Sequence, residues 1–213
     1  QFTLNNTRSV EPRWNLRYQF RQNQSFSVGA GLHSQTQPLE VYFYETSNGN
    51  GQTDLTNKDL KLVKSAHGVM GYDINFSKQL RFKAELYGQY IYDAAVEKTA
   101  SSFSLLNAGA DFYFPDKTNL VNEGNGYNYG VELTLERFLD KGFYYLLTAS
   151  VFESKYKGSD QVWRNTAFNN NYVFNILGGK EIKINNHTSF GADTKIAIAG
   201  GQRYTPFDFA ASN

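Results

Sequence analysis

Tyr127-Asn128-Tyr129-Gly130-Val131-Glu132-Leu133-Thr134-Leu135-Glu136 alternates apolar and polar residues without a break. Side chains of an extended strand point alternately to opposite faces, so this stretch puts its two Tyr, Val and two Leu on one face. Asn, Gly, Thr and both Glu fall on the other. A helix would scatter the same two sets around its circumference, so the decapeptide reads as a strand with one apolar and one polar face. Similar stripes recur outward from it: Trp14, Leu16, Tyr18, Phe20; Phe26, Val28, Ala30, Leu32; Met70, Tyr72, Ile74, Phe76; and Phe82, Ala84, Leu86, Tyr90, Tyr92. They continue with Phe143, Tyr145, Leu147, Ala149, Val151; Tyr172, Phe174, Ile176; and Phe190, Ala192, Ile196, Ile198. Eight strands are expected.

The connections are of two kinds. Very short ones fall at Arg21-Gln22-Asn23-Gln24, Ser77-Lys78-Gln79, Leu139-Asp140-Lys141-Gly142 and Asn185-Asn186-His187. Long polar ones run over about Ser34 to Leu62, Asp93 to Gly126 and Glu153 to Asn171, and the two kinds alternate strictly. Segments of about ten alternating residues joined by short turns at one end and long loops at the other are the sequence signature of a transmembrane β-barrel. Large apolar residues flank the short turns (Phe20 and Phe26, Phe76 and Phe82, Phe138 and Phe143, Ile184 and Phe190). Tyr90, Tyr92, Tyr127 and Tyr129 gather at the opposite ends, so two aromatic girdles are expected, one at each interface.

Composition agrees. The 213 residues carry a formal net charge of +1, which excludes a strong field for nucleic acid, and no cysteine, which excludes disulfide frameworks and thiol catalysis. There are 15 Tyr, 17 Phe and 18 Gly against 4 Pro, a mixture suited to strands and turns. A mean hydropathy of -0.53 would suit a soluble protein, yet a barrel exposes only alternate residues to lipid and carries polar loops. No apolar run reaches the roughly 18 residues of a transmembrane helix. The amino terminus, Gln1-Phe2-Thr3-Leu4-Asn5-Asn6, has no signal-peptide pattern, and the carboxy terminus, Phe209-Ala210-Ala211-Ser212-Asn213, reads as the start of another external loop. The expectation is a partial barrel over residues 1–213, with its first and last strands as cut edges.

Several blocks, in order along nearly the whole chain, carry a family resemblance. They are Ser9-Val10-Glu11-Pro12-Arg13, Gly31-Leu32-His33-Ser34-Gln35 with Gln37-Pro38-Leu39, Gly71-Tyr72-Asp73, Lys83-Ala84-Glu85, and the run Ser101 to Gly109. Further on come Asn128 to Glu136, Ser154-Lys155-Tyr156-Lys157-Gly158-Ser159-Asp160, Trp163-Arg164-Asn165-Thr166, and Ala199-Gly200-Gly201-Gln202-Arg203-Tyr204-Thr205-Pro206. The sequence resembles the barrel domain of TonB-dependent outer-membrane receptors of the Bacteroidetes. The resemblance implies a barrel of about 22 strands around a plug domain, energy-coupled uptake of a nutrient, an outer-membrane location, and partnership with the TonB complex through the plug. Plug and TonB box are missing from this stretch.

No catalytic set emerges: there is no Gly-x-Ser-x-Gly elbow, and Gly178-Gly179-Lys180 lacks the spacing of a phosphate loop. Neither an enzyme nor a cofactor is expected. Asn5-Asn6-Thr7, Asn75-Phe76-Ser77 and Asn186-His187-Thr188 match the glycosylation pattern by chance in an Asn-rich chain. His33 and His67 share the polar parity near the external ends of neighbouring strands and could approach each other; two histidines without a third ligand assign no metal site, and they read as polar lining. The candidate ligand-binding set is Lys155, Tyr156, Lys157, Asp160, Trp163 and Arg164, where charge, aromatic faces and a guanidinium suit a polar or glycan-like ligand. Two other functions fit the pattern: a complete small outer-membrane barrel (adhesin, structural or lipid-modifying), and a soluble β ligand-binding protein. Barrel closure separates the first from a receptor section; the facing of the apolar stripes separates the second.

Overall fold

The computed structural model describes residues 4–108 and 116–201. The stripes form β1 (Arg13–Arg21) and β2 (Gln24–Gln35), followed by a helical turn, α1 (Leu39–Tyr42), and a small hairpin, β3 (Thr46–Ser47) and β4 (Thr53–Asp54). Then come β5 (Val63–Asn75), β6 (Leu80–Glu97), β7 (Leu120–Asp140), β8 (Phe143–Lys157), β9 (Trp163–Asn165), β10 (Tyr172–Lys183) and β11 (Ser189–Ala199). Eight strands make one antiparallel sheet in the order β1-β2-β5-β6-β7-β8-β10-β11, with β9 added to β8 and the β3-β4 hairpin apart. The chain is all-β and antiparallel, with each strand of the path beside the next. Among the described residues no helix is long and apolar enough to cross a membrane.

Register turns the alternation of single strands into a property of the whole sheet. Leu16 pairs with Val28, Val28 with Met70, Met70 with Leu86, Leu86 with Val131, Val131 with Val151, and Val151 with Tyr172. The next row on that face runs Tyr18, Phe26, Tyr72, Ala84, Leu133, Ala149, Phe174 and Ile198. The first row is exposed: Leu16 is 60% exposed, Met70 51%, Leu86 52% and Val151 58%. The opposite face carries Arg17, Ser27, Glu85, Glu132 and Ser150 at the intervening row.

The glycines show which way the sheet bends. A Cβ added at Gly68 or Gly88, on the apolar face, meets nothing closer than 3.9 Å. Added on the polar face it crowds: 2.7 Å from Ser27 Oγ at Gly71, and 2.8 Å from the Tyr87 hydroxyl at Gly130. Side chains converge on a concave face and diverge on a convex one, so the sheet curves around its polar side.

The short connections fall where alternation stops. Lys141 and Gly142 both take positive φ, 52° and 74°, as a two-residue hairpin turn of the primed type requires. At the other end β6 and β7 run on to Glu97 and from Leu120, past the expected limits of Asp93 and Gly126. Register shifts around Ala94, with Asp93 at φ 59°, mark a bulge. One extra residue on β6 and then one on β7 reset the side-chain parity of each strand, which is why the alternation seems to end there.

The buried apolar side chains gather at this end of the sheet, where the ends of β6 and β7 meet the connections. Val41, Tyr42, Leu60, Ala95 and Leu120 form one cluster, with Tyr44, Phe103 and Leu105 packed against it. At its centre the buried Asn57 donates to the carbonyls of Val41 (3.0 Å) and Lys117 (2.7 Å) and accepts from the Leu120 amide (3.0 Å). The connections between β2 and β5 and between β6 and β7 thus make one cap with its own core. Gln202-Arg203-Tyr204-Thr205-Pro206, the expected loop at Phe209–Asn213, and Gly109 fall outside the described residues.

Replacing Asn57 by Ala strands three backbone groups, each costing about 1–3 kcal/mol if left unpaired. Asn57→Ala is expected to raise hydrogen exchange at the Leu120 amide by two or more orders of magnitude, while amides of β7 below Gly130 keep their rates.

Candidate functional site

The six residues of the candidate ligand set lie together at the capped end, where β8 runs past β10 and β9 folds back on it. Lys155 pairs with Asn165, Tyr156 with Arg164, and Lys157 with Trp163. The turn between is tight: the Gln161 amide donates to the Gly158 carbonyl (3.2 Å), with Gln161 at φ 62°. Gly158 is pressed on Ser101–Phe103, where a Cβ would collide with the backbone. The Asp160 amide donates to the Ser101 carbonyl (3.2 Å), and the Ser101 amide donates to Ser159 Oγ (3.0 Å).

Pairing divides the set between the two faces of the sheet, a division the one-dimensional loop reading missed. Lys155 lies opposite Tyr127, on the apolar parity, so Lys155, Lys157 and Trp163 stand at the upper margin of the convex face. There Trp163 packs on Tyr127 with ring centroids 4.8 Å apart, Tyr127 stacks on Tyr129 at 5.9 Å, and Lys157 Nζ lies 5.3 Å from the Trp163 centroid. Lys155 pairs with Glu153 at 3.4 Å.

Tyr156 and Arg164 take the other face. Tyr156 is buried, its hydroxyl 3.5 Å from Asn107 Nδ2. Arg164 spends its fork inside the protein, donating through Nη1 (2.9 Å) and Nη2 (2.6 Å) to the two oxygens of Asp160 and through Nη1 to the Val162 carbonyl (3.0 Å). These bonds hold the Asp160 carboxyl below its ordinary range and push the guanidinium up. The ion pair thus fixes the shape of the turn, while Trp163 is exposed and Lys157 half-buried beside it. Asn169 braces the chain beyond β9, accepting from the Ser154 amide (3.1 Å) and donating to Asn165 Oδ1 (3.0 Å).

On the concave face, polar side chains partner one another across and along strands. Arg81 donates from Nε to Asp73 (2.9 Å), pairs with it through Nη2 as well, and brings Nη1 to 3.9 Å from Glu136. Lys83 meets Glu85 at 2.7 Å, Asn128 donates to Gln89 (2.9 Å), and the Tyr144 hydroxyl donates to Asp193 (2.7 Å). His33 and His67 do meet: their rings stack with centroids 4.3 Å apart. The described residues contain no group of three or more His, Cys, Asp or Glu placed to hold a metal ion.

A scan against protein-family models gives no match, and a search of curated proteins gives none. Solved structures do match. The chain is similar to the FrpB iron transporter from Neisseria meningitidis at 14% identity and a TM-score of 0.55, over 88% of this chain and 26% of that one. It is similar to the ferric-catecholate import receptor Fiu from E. coli K12 at 12% identity and a TM-score of 0.56, over 86% of this chain and 24% of that one. The chain spans about a quarter of the length of these proteins. At such identity the likeness establishes the fold: an antiparallel β-barrel segment.

The lowered Asp160 carboxyl gives the capped hairpin a pH dependence. A depressed folded value contributes stability that is complete above the unfolded range of about 4 and is lost as pH falls through the lower folded value. The Val162 amide, which donates to Asp160 Oδ1 (3.2 Å), is expected to stay protected from exchange at pH 5 and to open on acidification below about 4. Asp160→Asn, which keeps an acceptor for that amide but removes the charge, is expected to free Arg164 and abolish the acid transition.

Proposed function

We propose that this chain is part of the barrel wall of a TonB-dependent outer-membrane receptor that takes up a nutrient ligand by energy-coupled transport. The observation that carries the reading is the uncovered apolar row Leu16, Val28, Met70, Leu86, Val131, Val151 and Tyr172 on the convex face of a sheet whose concave face is polar. In water such a face would drive aggregation; against lipid it is the favourable arrangement. A soluble binding protein would turn the stripes inward, and these face out. From Tyr127 to Leu135 the apolar parity covers about 27 Å along β7, enough for a tilted strand to cross the hydrocarbon.

The sheet is open, and every residue of β1 and β11 is exposed, which supports a section of a larger barrel over a small closed one. Lipid leaves no backbone group unpaired, so neighbouring strands would complete each ladder. The likeness to about a quarter of an iron transporter and of a ferric-catecholate import receptor supports transport rather than catalysis. The blocks from Ser9-Val10-Glu11-Pro12-Arg13 to Trp163-Arg164-Asn165-Thr166 support the Bacteroidetes type. TonB would act through a plug domain inside the barrel, and the capped end with Lys157 and Trp163 would face the ligand outside.

These 213 residues contain no cysteine, so single cysteines placed among them, compared with the unaltered protein, report facing. Leu133→Cys in cells is expected to resist a water-soluble maleimide and to react with a lipid-phase reagent, and Thr134→Cys to do the reverse. Leu133→Arg is expected to cost about 2–4 kcal/mol of stability in bilayers if it lies near the midplane, and Thr134→Arg much less. Equal water accessibility at 133 and 134 would contradict the membrane reading.

A further inference from the structure

His33 and His67 are brought together by a feature of the ladder. His67 pairs directly with Gly31, and His33 with Ser65, so the two imidazoles are diagonal neighbours on the polar face of β2 and β5. Gly31 makes the room: a Cβ there would stand 3.1 Å from His67 Cε1 and 3.0 Å from Arg13 Cγ. The rings stack at an interplanar angle of 23°, and their Nε2 atoms are 3.4 Å apart.

That separation is longer than an ordinary N–H hydrogen bond. Near-parallel rings also direct their Nε2 groups along the ring planes rather than at each other. Among the described residues neither imidazole has another hydrogen-bond partner. The spacing comes close to that of two ligands of one ion: nitrogens about 2.05 Å from it lie about 3.3 Å apart in a tetrahedron and about 2.9 Å apart at cis positions of a square plane. To aim both lone pairs at a shared point the two rings would turn about χ2, a broad torsion in histidine. The neighbouring cation, Arg13, is paired with Glu11 at 2.9 Å. Glu11 itself is occupied, accepting from the Ser34 amide (3.1 Å) and hydroxyl (2.6 Å).

We infer that His33 and His67 form a two-nitrogen anchor for a late first-row divalent cation, on the concave face just beneath the cap. Two protein donors leave the other coordination positions to water or to donor atoms of an arriving ligand. Imidazole pairs rank such ions with Cu2+ first, ahead of Ni2+ and Zn2+, and leave Mg2+ and Ca2+ unbound. The inference is independent of the membrane reading, because it needs only the β2-β5 register.

Cu2+ titrated into the chelator-stripped, detergent-purified protein and followed by electron paramagnetic resonance tests it. The expected result is a single site with a two-nitrogen superhyperfine pattern, unaffected by excess Mg2+. His33→Gln and His67→Gln are each expected to weaken binding by about tenfold or more, while His187→Gln, in the turn between β10 and β11, leaves it unchanged. In the unaltered protein, Zn2+ is expected to protect His33 and His67, and not His187, from diethylpyrocarbonate, as read by mass spectrometry. That arm stands even where a variant fails to fold. Absence of binding up to about 0.1 mM Cu2+, binding that survives both single substitutions, or protection of His187 alone would overturn the inference.

Discussion

Strand register is the constraint on which the rest of this structure depends. A side chain's face is decided by parity, and parity is carried from strand to strand by backbone hydrogen bonds. In the ladders from β1 to β11 the pairing places Leu16, Val28, Met70, Leu86, Val131, Val151 and Tyr172 in one line. A slip of one residue anywhere would swap Glu132 for Val131 and put a carboxylate in the apolar band. Such an error costs several kcal/mol in hydrocarbon, so the apolar face and the register enforce each other.

This sheet has no hydrophobic interior in the usual sense. Its apolar residues face outward, and the enclosed core lies in the cap, around Val41, Tyr42, Leu60, Ala95 and Leu120. The two regions answer different solvents. Along the wall, alternation suffices if, as proposed, one face meets lipid and the other a polar surrounding. The cap stands where neither solution is available and stabilises itself as a small globular domain does, with buried side chains and a polar residue, Asn57, that satisfies backbone groups from two connections. The bulge at Asp93 is the joint between the two regimes, since beyond it parity resets and Ala95 turns into the cap.

The candidate ligand set illustrates how pleating partitions chemistry. Six residues within ten positions read in sequence as one recognition loop. The β8-β9 pairing sends Lys155, Lys157 and Trp163 to one side and Tyr156 and Arg164 to the other. Burial and the Arg164–Asp160 fork then commit Tyr156, Asp160 and Arg164 to holding the turn. The groups left able to meet another molecule are an aromatic face and an ammonium, at the margin where the apolar wall ends.

Sequence by itself determined the strand class, the eight-strand count, the short turns and the facing of each central residue. All of these follow from the period-two pattern of stretches such as Tyr127 to Glu136, and that pattern is local. It determined composition-level exclusions as well, since a chain without cysteine has no thiol chemistry to offer. Only the tertiary structure decided where β6 and β7 end, because a one-residue bulge looks in sequence like the end of a strand. The core of the cap was likewise illegible: Val41 meets Leu120 and Asn57 meets Lys117 across some 60 or more positions, and no local pattern encodes such contacts. The stacking of His33 on His67 shows both sides of this division. Their shared parity is written in the sequence, but their contact required the register of β2 on β5 and the space left by Gly31, which is information held by two strands together.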